Sequence, residues 1–390
     1  MKVALVSPYD WAVPGGVNSH VATLACELRD LGHDVRIIAP SSQPVPDPRV
    51  TVIGWPIPVA ASGSVVRIPV DPRMGRQVRD VLALGQFDVV HVHEPLMPLL
   101  PLEVLRLSRS VNPDVVNVGT FHARKDGGNR LYSYSRWLLK RRFRELHGKI
   151  AVSPPAAQYV AQYFPGYYNI IPNGIDVPHW DNPDLEPVSG FEDTTNILYV
   201  GRAEKRKGLA VLLRAFGIVN ARVPQSRLVT VGPDSPARRR YEASTQRAGR
   251  RGVCFIPEQP YEELPRFHRS AHIFCSPALG NESQGYVLLE AMAAGLPVIA
   301  SNIDGYASVI TQGVDGLLVP PNDSMALADA LTQLIREPAL RAELAAAGRQ
   351  RVEEYSWPRV ARQLVSYYER LLLQQRSVTA SSDRRLARTS

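Results

Sequence analysis

Cysteine is almost missing from this chain: Cys26, Cys254 and Cys275 are the only three in 390 residues. None stands in a CxxC spacing, so neither a disulfide framework nor a zinc site is expected, and a reducing compartment fits. No run of about 18 apolar residues occurs, so no membrane-spanning helix is expected. The apolar stretch opening at Met1 is too short for the core of a secretory signal, and export is not expected. Glycine (27) and proline (33) are too few for a fibrous or low-complexity chain. Neither charge sign dominates, with 45 Lys and Arg against 37 Asp and Glu and a net charge of +8. That surplus is local. Residues 124–149 carry nine Lys or Arg against Asp126 and Glu145, and the segment from Arg376 to Ser390 is also basic. A length of 390 residues suggests two to three domains at about 150 residues each.

The hydrophobic pattern has two similar halves. Lys2–Val6 reads as a buried strand. Val17, Val21, Leu24, Ala25, Leu28 and Leu31 follow at helical spacing and stop at Gly32, and Val35–Ala39 is the next strand. Further strands are expected at Val89–His93, Val115–Thr120 and Lys149–Val152. Residues 173–195 are rich in Pro, Asp and Gly and read as a linker. The alternation then restarts at Asn196–Val200, continuing through Arg227–Val231, Gly252–Ile256, His272–Cys275, Pro297–Ser301 and Leu317–Val319. Strand–helix alternation of this kind implies an α/β chain of two Rossmann-like domains with parallel sheets. The expected boundaries are 1–172, a linker at 173–195, and 196–357, with a last helix at 358–375 packing back on the first domain. Residues 377–390 read as a disordered basic tail.

Open α/β sheets bind ligands beyond the carboxyl ends of their strands, and five segments there carry chemistry. Gly15-Gly16 precedes the first helix, where bare backbone and a helix N-terminus suit a phosphate as well as an ordinary turn. Gly201-Arg202 and Lys207-Gly208 place two cations just past a strand; the intervening Glu204, Lys205 and Arg206 read as a solvated turn. Glu282 and Glu290 flank Ser283, Gln284 and Gly285, and a Glu inside an apolar helix is costly unless it accepts hydrogen bonds such as those of ribose hydroxyls. His122 ends a strand, as a proton-transfer group or a packed bystander. Finally, Arg136, Lys140, Arg141 and Arg144 share a helix face with Trp137, opposite Leu139, Phe143 and Leu146, a pattern that suits an anionic membrane surface or a solvated face. No nucleic-acid module accompanies the charge, so nucleic acid is not an expected partner.

Taken together, the Gly-Gly turn, Gly201-Arg202 with Lys207-Gly208, and Glu282-x7-Glu290 followed by Ala-Met-Ala-Ala-Gly resemble the retaining GT-B glycosyltransferases of family 4. Ile171-Pro172-Asn173-Gly174-Ile175-Asp176 matches that family's interdomain segment, and the likeness covers roughly residues 1–375. It extends to Ser19-His20-Val21, Gly63-Ser64-Val65 with Arg67, His93-Glu94-Pro95 and Thr120-Phe121-His122.

The resemblance implies a GT-B fold whose two sheets face a central cleft. It implies transfer of a hexose, mannose from GDP-mannose preferred, to a lipid or lipid-linked acceptor, phosphatidylinositol-like lipids included, at the inner face of the cell membrane. In that reading Arg202 and Lys207 neutralise the leaving diphosphate, assisted by backbone N–H groups of Gly15 and Gly16. Glu290 holds the ribose, Glu282 and residues 283–285 hold the donor sugar, and His122 lies by the transferred sugar. Tyr9, Asn18 and Arg67 line the acceptor. No metal, cofactor or obligate protein partner is implied. The sequence departs from the family pattern at Leu96-Met97, at Asn18 and at Ala123-Arg124, all on the acceptor side. The competing readings are a UDP-sugar transferase with a soluble acceptor, a nucleotide-sugar epimerase of the same architecture, and a nucleotide-sugar-binding module without catalysis.

Overall fold

The structure is a computed structural model, describing residues 1–61, 64–128 and 130–386. The chain forms two compact units. One comprises Met1–Asn173 together with the chain from Trp357 onward, and the other Gly174–Ser356.

In the first unit, strands β1 (Lys2–Val6), β2 (Asp34–Ala39) and β3 (Val50–Val52) join a parallel sheet with β6 (Val89–His93), β7 (Val116–Phe121), β8 (Gly148–Ala151) and β9 (Asn169–Ile170). The order is β3-β2-β1-β6-β7-β8-β9. The β1 sequence is apolar at successive positions because both faces of the sheet are covered. Val3 and Leu5 enter one core with Val21, Leu24 and Leu28 of the Gly16–Asp30 helix, whereas Ala4 and Val6 enter the opposite core with Val78, Leu82 and Val104. The remaining two strands, β4 (Trp55–Ala61) and β5 (Ser64–Val70), pair antiparallel in a separate ribbon that the sequence pattern did not suggest. Pro56, Pro58 and Pro69 lie within it, and proline normally argues against a strand. The 63–65 stretch of the family likeness begins at a residue outside the described set.

In the second unit, β10 (Thr195–Val200), β11 (Ser226–Val231), β12 (Val253–Ile256), β13 (Ile273–Ser276), β14 (Val298–Ser301) and β15 (Leu317–Val319) form a parallel sheet in the order β12-β11-β10-β13-β14-β15. In both sheets the chain leaves the first strand in one direction and returns on its other side, at β1/β6 and at β10/β13. These are the topological switch points where open α/β sheets bind ligands.

Two expectations are corrected. Residues 174–195 are no free linker: Ile175 N–H donates to the Tyr355 carbonyl at 2.8 Å, Asp176 caps a short Val177–Trp180 helix, and Trp180 is wholly buried in the second unit. The Pro- and Asp-rich composition conceals these few anchoring residues. Residues 377–386 of the basic tail continue the last helix, which runs Trp357–Leu386, and residues 387–390 lie outside the described residues. No Gly or Pro follows Pro358 to stop it. Its Trp357, Val360, Leu364 and Tyr368 complete the core that contains Val3 and Leu5. Among the described residues no helix is long and apolar enough to cross a membrane.

Candidate active site

At the β10/β13 switch point of the second unit, a short 3-10 turn, Lys205–Lys207, follows β10. Gly208 ends it at φ +74, and a Cβ there would lie 1.8 Å from the Pro277 carbonyl oxygen. Leu279 N–H donates to the Arg206 carbonyl at 2.7 Å. The loops after β10 and β13 are thus fixed together through their backbones, and their side chains meet. Lys207 Nζ lies 2.8 Å and Arg206 Nη1 2.7 Å from the same oxygen, Glu282 Oε1. Arg206 Nε also donates to Glu204 Oε2 at 2.8 Å, and Arg202 Nη1 reaches Glu204 Oε1 at 3.1 Å. Arg202 is the most exposed member, at 64% of its side chain.

Gly285, at φ +81, starts the Tyr286–Ala293 helix; a Cβ there would meet the Tyr306 ring at 2.6 Å. Glu290 lies one turn into that helix. Burial pushes its carboxyl up to about 7, opposed by the nearby Lys207 ammonium. Lys207 therefore faces both carboxylates that the sequence singled out. Gln284 is buried and Ser283 partly so. Arg206, read from sequence as part of a solvated turn, is instead a full member of the cluster. A charge run gives no sign of which cation a tight turn will direct inward.

In the first unit, the β1/β6 switch point brings together Tyr9, Asp10, His93 and Glu94. Gly15 and Gly16 have open space where a Cβ would project, so packing does not demand glycine there. Asn18 is occupied structurally: Ser7 Oγ donates to its Oδ1 at 2.7 Å, and its Nδ2 donates to the Asp10 and Val13 carbonyls. It fastens the loop after β1. Arg67 Nη1 donates to Asp10 Oδ2 at 3.1 Å and remains partly exposed. Burial opposes ionisation of Asp10, but N–H donors from Ser42 and Ala12 and the Arg67 charge hold its carboxyl below the ordinary value. Tyr9 is raised by burial and by Glu94.

Glu94 is the tether of His122. Its Oε1 accepts the backbone N–H groups of His122 and Ala123 at 2.7 and 2.8 Å, from a residue at φ +48. Burial raises its carboxyl to about 7, against those two hydrogen bonds. Burial also lowers His122 to about 4, so its imidazole is neutral near pH 7 and serves as a hydrogen-bonding group. His122 Nε2 lies 2.9 Å from His93 Nδ1, and His20 packs edge-on against both rings. His20, His93 and His122 each offer a ring nitrogen within 4.8 Å of the others. No metal-ligand spacing was legible in the sequence, because the three residues come from a helix and two strands. The one signal was His91-x-His93, whose period of two puts both rings on one face of β6.

The helix Arg130–Phe143 buries Leu139 and Phe143 and exposes Arg136, Lys140 and Arg141; just beyond it Leu146 is buried and Arg144 exposed. Tyr134 and Trp137 stand 82% and 78% exposed among them.

Residues 14–178 match the Glycosyltransferase Family 4 model and residues 181–351 that of Glycosyl transferases group 1. Curated relatives include the phosphatidyl-myo-inositol mannosyltransferases of Mycolicibacterium smegmatis, 37% identical over 95% of this chain and 94% of the relative, and of Propionibacterium freudenreichii, 34% identical over 94% of each. Similar solved structures include a glycosyltransferase from Rickettsia africae (TM-score 0.76, 18% identity, 95% of this chain and 98% of that one) and Anabaena HepE in complex with UDP (TM-score 0.75, 17% identity, 95% and 100%). The chain belongs to the GT-B glycosyltransferases of family 4.

Proposed function

We propose that this glycosyltransferase moves mannose from GDP-mannose to a phosphatidylinositol-like lipid acceptor at an anionic membrane surface, retaining the anomeric configuration and requiring no metal. The observation that carries the reading is the shared hold of Arg206 and Lys207 on Glu282, beside half-buried Glu290, at the switch point of the second unit. Two cations on one carboxylate are poised for exchange. An incoming diphosphate takes up Arg206 and Lys207, with Arg202 adding a third cation, and Glu282 is released to accept hydroxyl groups of the donor sugar. Glu290 accepts the ribose hydroxyls. As the glycosidic bond breaks, negative charge builds on the phosphate oxygens and those cations stabilise it. The same oxygens take the acceptor's proton as the new bond forms on the face the diphosphate leaves. Neutral His122, held by Glu94, hydrogen-bonds the sugar, and Tyr9 and Arg67 line the acceptor. Names of relatives support the sugar and the lipid, and the exposed Trp137 with its basic neighbours supports the membrane.

The test is mannosyl transfer from GDP-mannose to phosphatidylinositol in vesicles, with UDP-glucose and soluble inositol phosphate as competing substrates and a chelator present throughout. Lipid-linked mannose should form only with the first pair, and Arg202→Ala should lose at least roughly tenfold in turnover. Product from the soluble pair alone would overturn the lipid reading.

A further inference from the structure

The three histidines of the first unit do more than the transferase reading asks of them. His20 comes from the Gly16–Asp30 helix, His93 from the end of β6 and His122 from just past β7. Their ring centroids form a nearly equilateral triangle with sides of 5.2, 4.9 and 5.2 Å. Three imidazoles on one tetrahedral ion at about 2.0–2.1 Å would have centroids about 5 Å apart. Two of the ring nitrogens, His20 Nδ1 and His93 Nε2, are buried without a hydrogen-bond partner, a costly arrangement for a packed core. The fourth nearby ring, His91, is excluded: both of its nitrogens are used, at 2.6 Å from Tyr368 Oη and 2.6 Å from Thr120 Oγ1. Glu94 Oε1 accepts the His122 backbone N–H and so fixes that side of the group.

We propose that His20, His93 and His122 form a binding site for a single Zn²⁺ or similar borderline transition-metal ion, with one coordination position left open, and that occupation of this site inhibits the enzyme. His122 is only partly exposed and His20 and His93 are buried, so the ion enters from the His122 side. Ligation withdraws the His122 nitrogen that the proposed reaction needs for the sugar. Binding itself is independent of the transferase reading and has its own spectroscopic readout.

The experiment titrates the full-length, metal-stripped protein with Co²⁺. One ion per chain should bind with the intense visible bands of a tetrahedral site, and Zn²⁺ should displace it. His20→Phe should weaken binding by at least roughly tenfold, whereas the surface variant His179→Ala should bind unchanged. X-ray absorption of the Zn²⁺-loaded wild type should show three imidazole ligands, and this measurement decides the matter if His20→Phe does not fold. Absence of binding, a weak octahedral-type spectrum, fewer than three imidazoles, or unchanged affinity in a folded His20→Phe protein would each overturn the site. A separate assay should show Zn²⁺ lowering turnover at least tenfold, reversibly with chelator; unchanged turnover at full occupancy would overturn inhibition alone.

Discussion

Lys207 is the side chain on which most of the second unit's site converges. It pairs with Glu282 at 2.8 Å and its charge opposes the upward shift of Glu290. In the proposed phosphate grip, removing it would deprive a bound diphosphate of a charge-assisted contact worth about 1.5–3 kcal/mol. Lys207→Ala should therefore weaken GDP binding by roughly 10- to 100-fold by calorimetry, and Arg206→Ala should weaken it comparably. An effect confined to Lys207 would remove Arg206 from the phosphate grip. Glu290 makes a second prediction. Its folded-state value of about 7 lies above the ordinary carboxylate value of 4.5. A raised carboxyl binds more protons folded than unfolded between those values, so its contribution to stability falls as pH rises from about 4.5 to 7 and is most unfavourable above 7. In the role proposed for it, Glu290 accepts ribose hydroxyls in its ionised form, so nucleotide affinity should rise from pH 6 to pH 8. Glu290→Gln should flatten both dependences, measured by denaturant titration and by calorimetry.

The elements show what could be read in advance and what could not. Buried parallel strands announce themselves as unbroken apolar runs, and Lys2–Val6, Arg227–Val231 and Leu317–Val319 were legible for that reason. The β4–β5 ribbon was hidden by its three prolines, and the capped segment at 176–180 by its loop-like composition. Glu290 was legible as a candidate because a carboxylate within an apolar helix needs a purpose, Glu282 because it stands in the loop before that helix, and Arg202 and Lys207 because two cations follow a strand. The partners that complete the sites were not. Arg206 becomes a ligand of Glu282 only through the tight turn closed by Gly208, and His20 meets His122 only through tertiary packing. The turn itself can be tested. A methyl group at position 208 would strike the Pro277 carbonyl at a positive φ. Gly208→Ala should destabilise the second unit by about 2–4 kcal/mol in urea unfolding, and nucleotide binding should fall with it. A change below about 0.5 kcal/mol would mean that the backbone contact is easily relieved.

At the scale of the molecule, the first unit is assembled from two stretches separated by the whole of the second. Trp357, Val360, Leu364, Tyr368 and Leu371 supply buried surface to the core that holds β1. Each is a large apolar side chain, worth about 1.5–3 kcal/mol when fully buried, and their sum rivals the entire stability of an ordinary domain. A chain ending at Ser356 should retain a protected β10–β15 sheet and lose protection across β1–β9 in hydrogen exchange. Native protection in β1 and β6 of such a chain would show that the last helix is dispensable.

This interleaving has a consequence for biosynthesis. Ribosomes release a polypeptide in order, yet the earlier unit lacks a wall of its interior until the segment beginning at Trp357 emerges. Translating Gly174–Ser356 occupies roughly ten to forty seconds at about 5–20 residues per second. The later unit can thus complete itself first, while the nascent earlier one waits with one side of the core around Val3, Leu5 and Leu24 still uncovered.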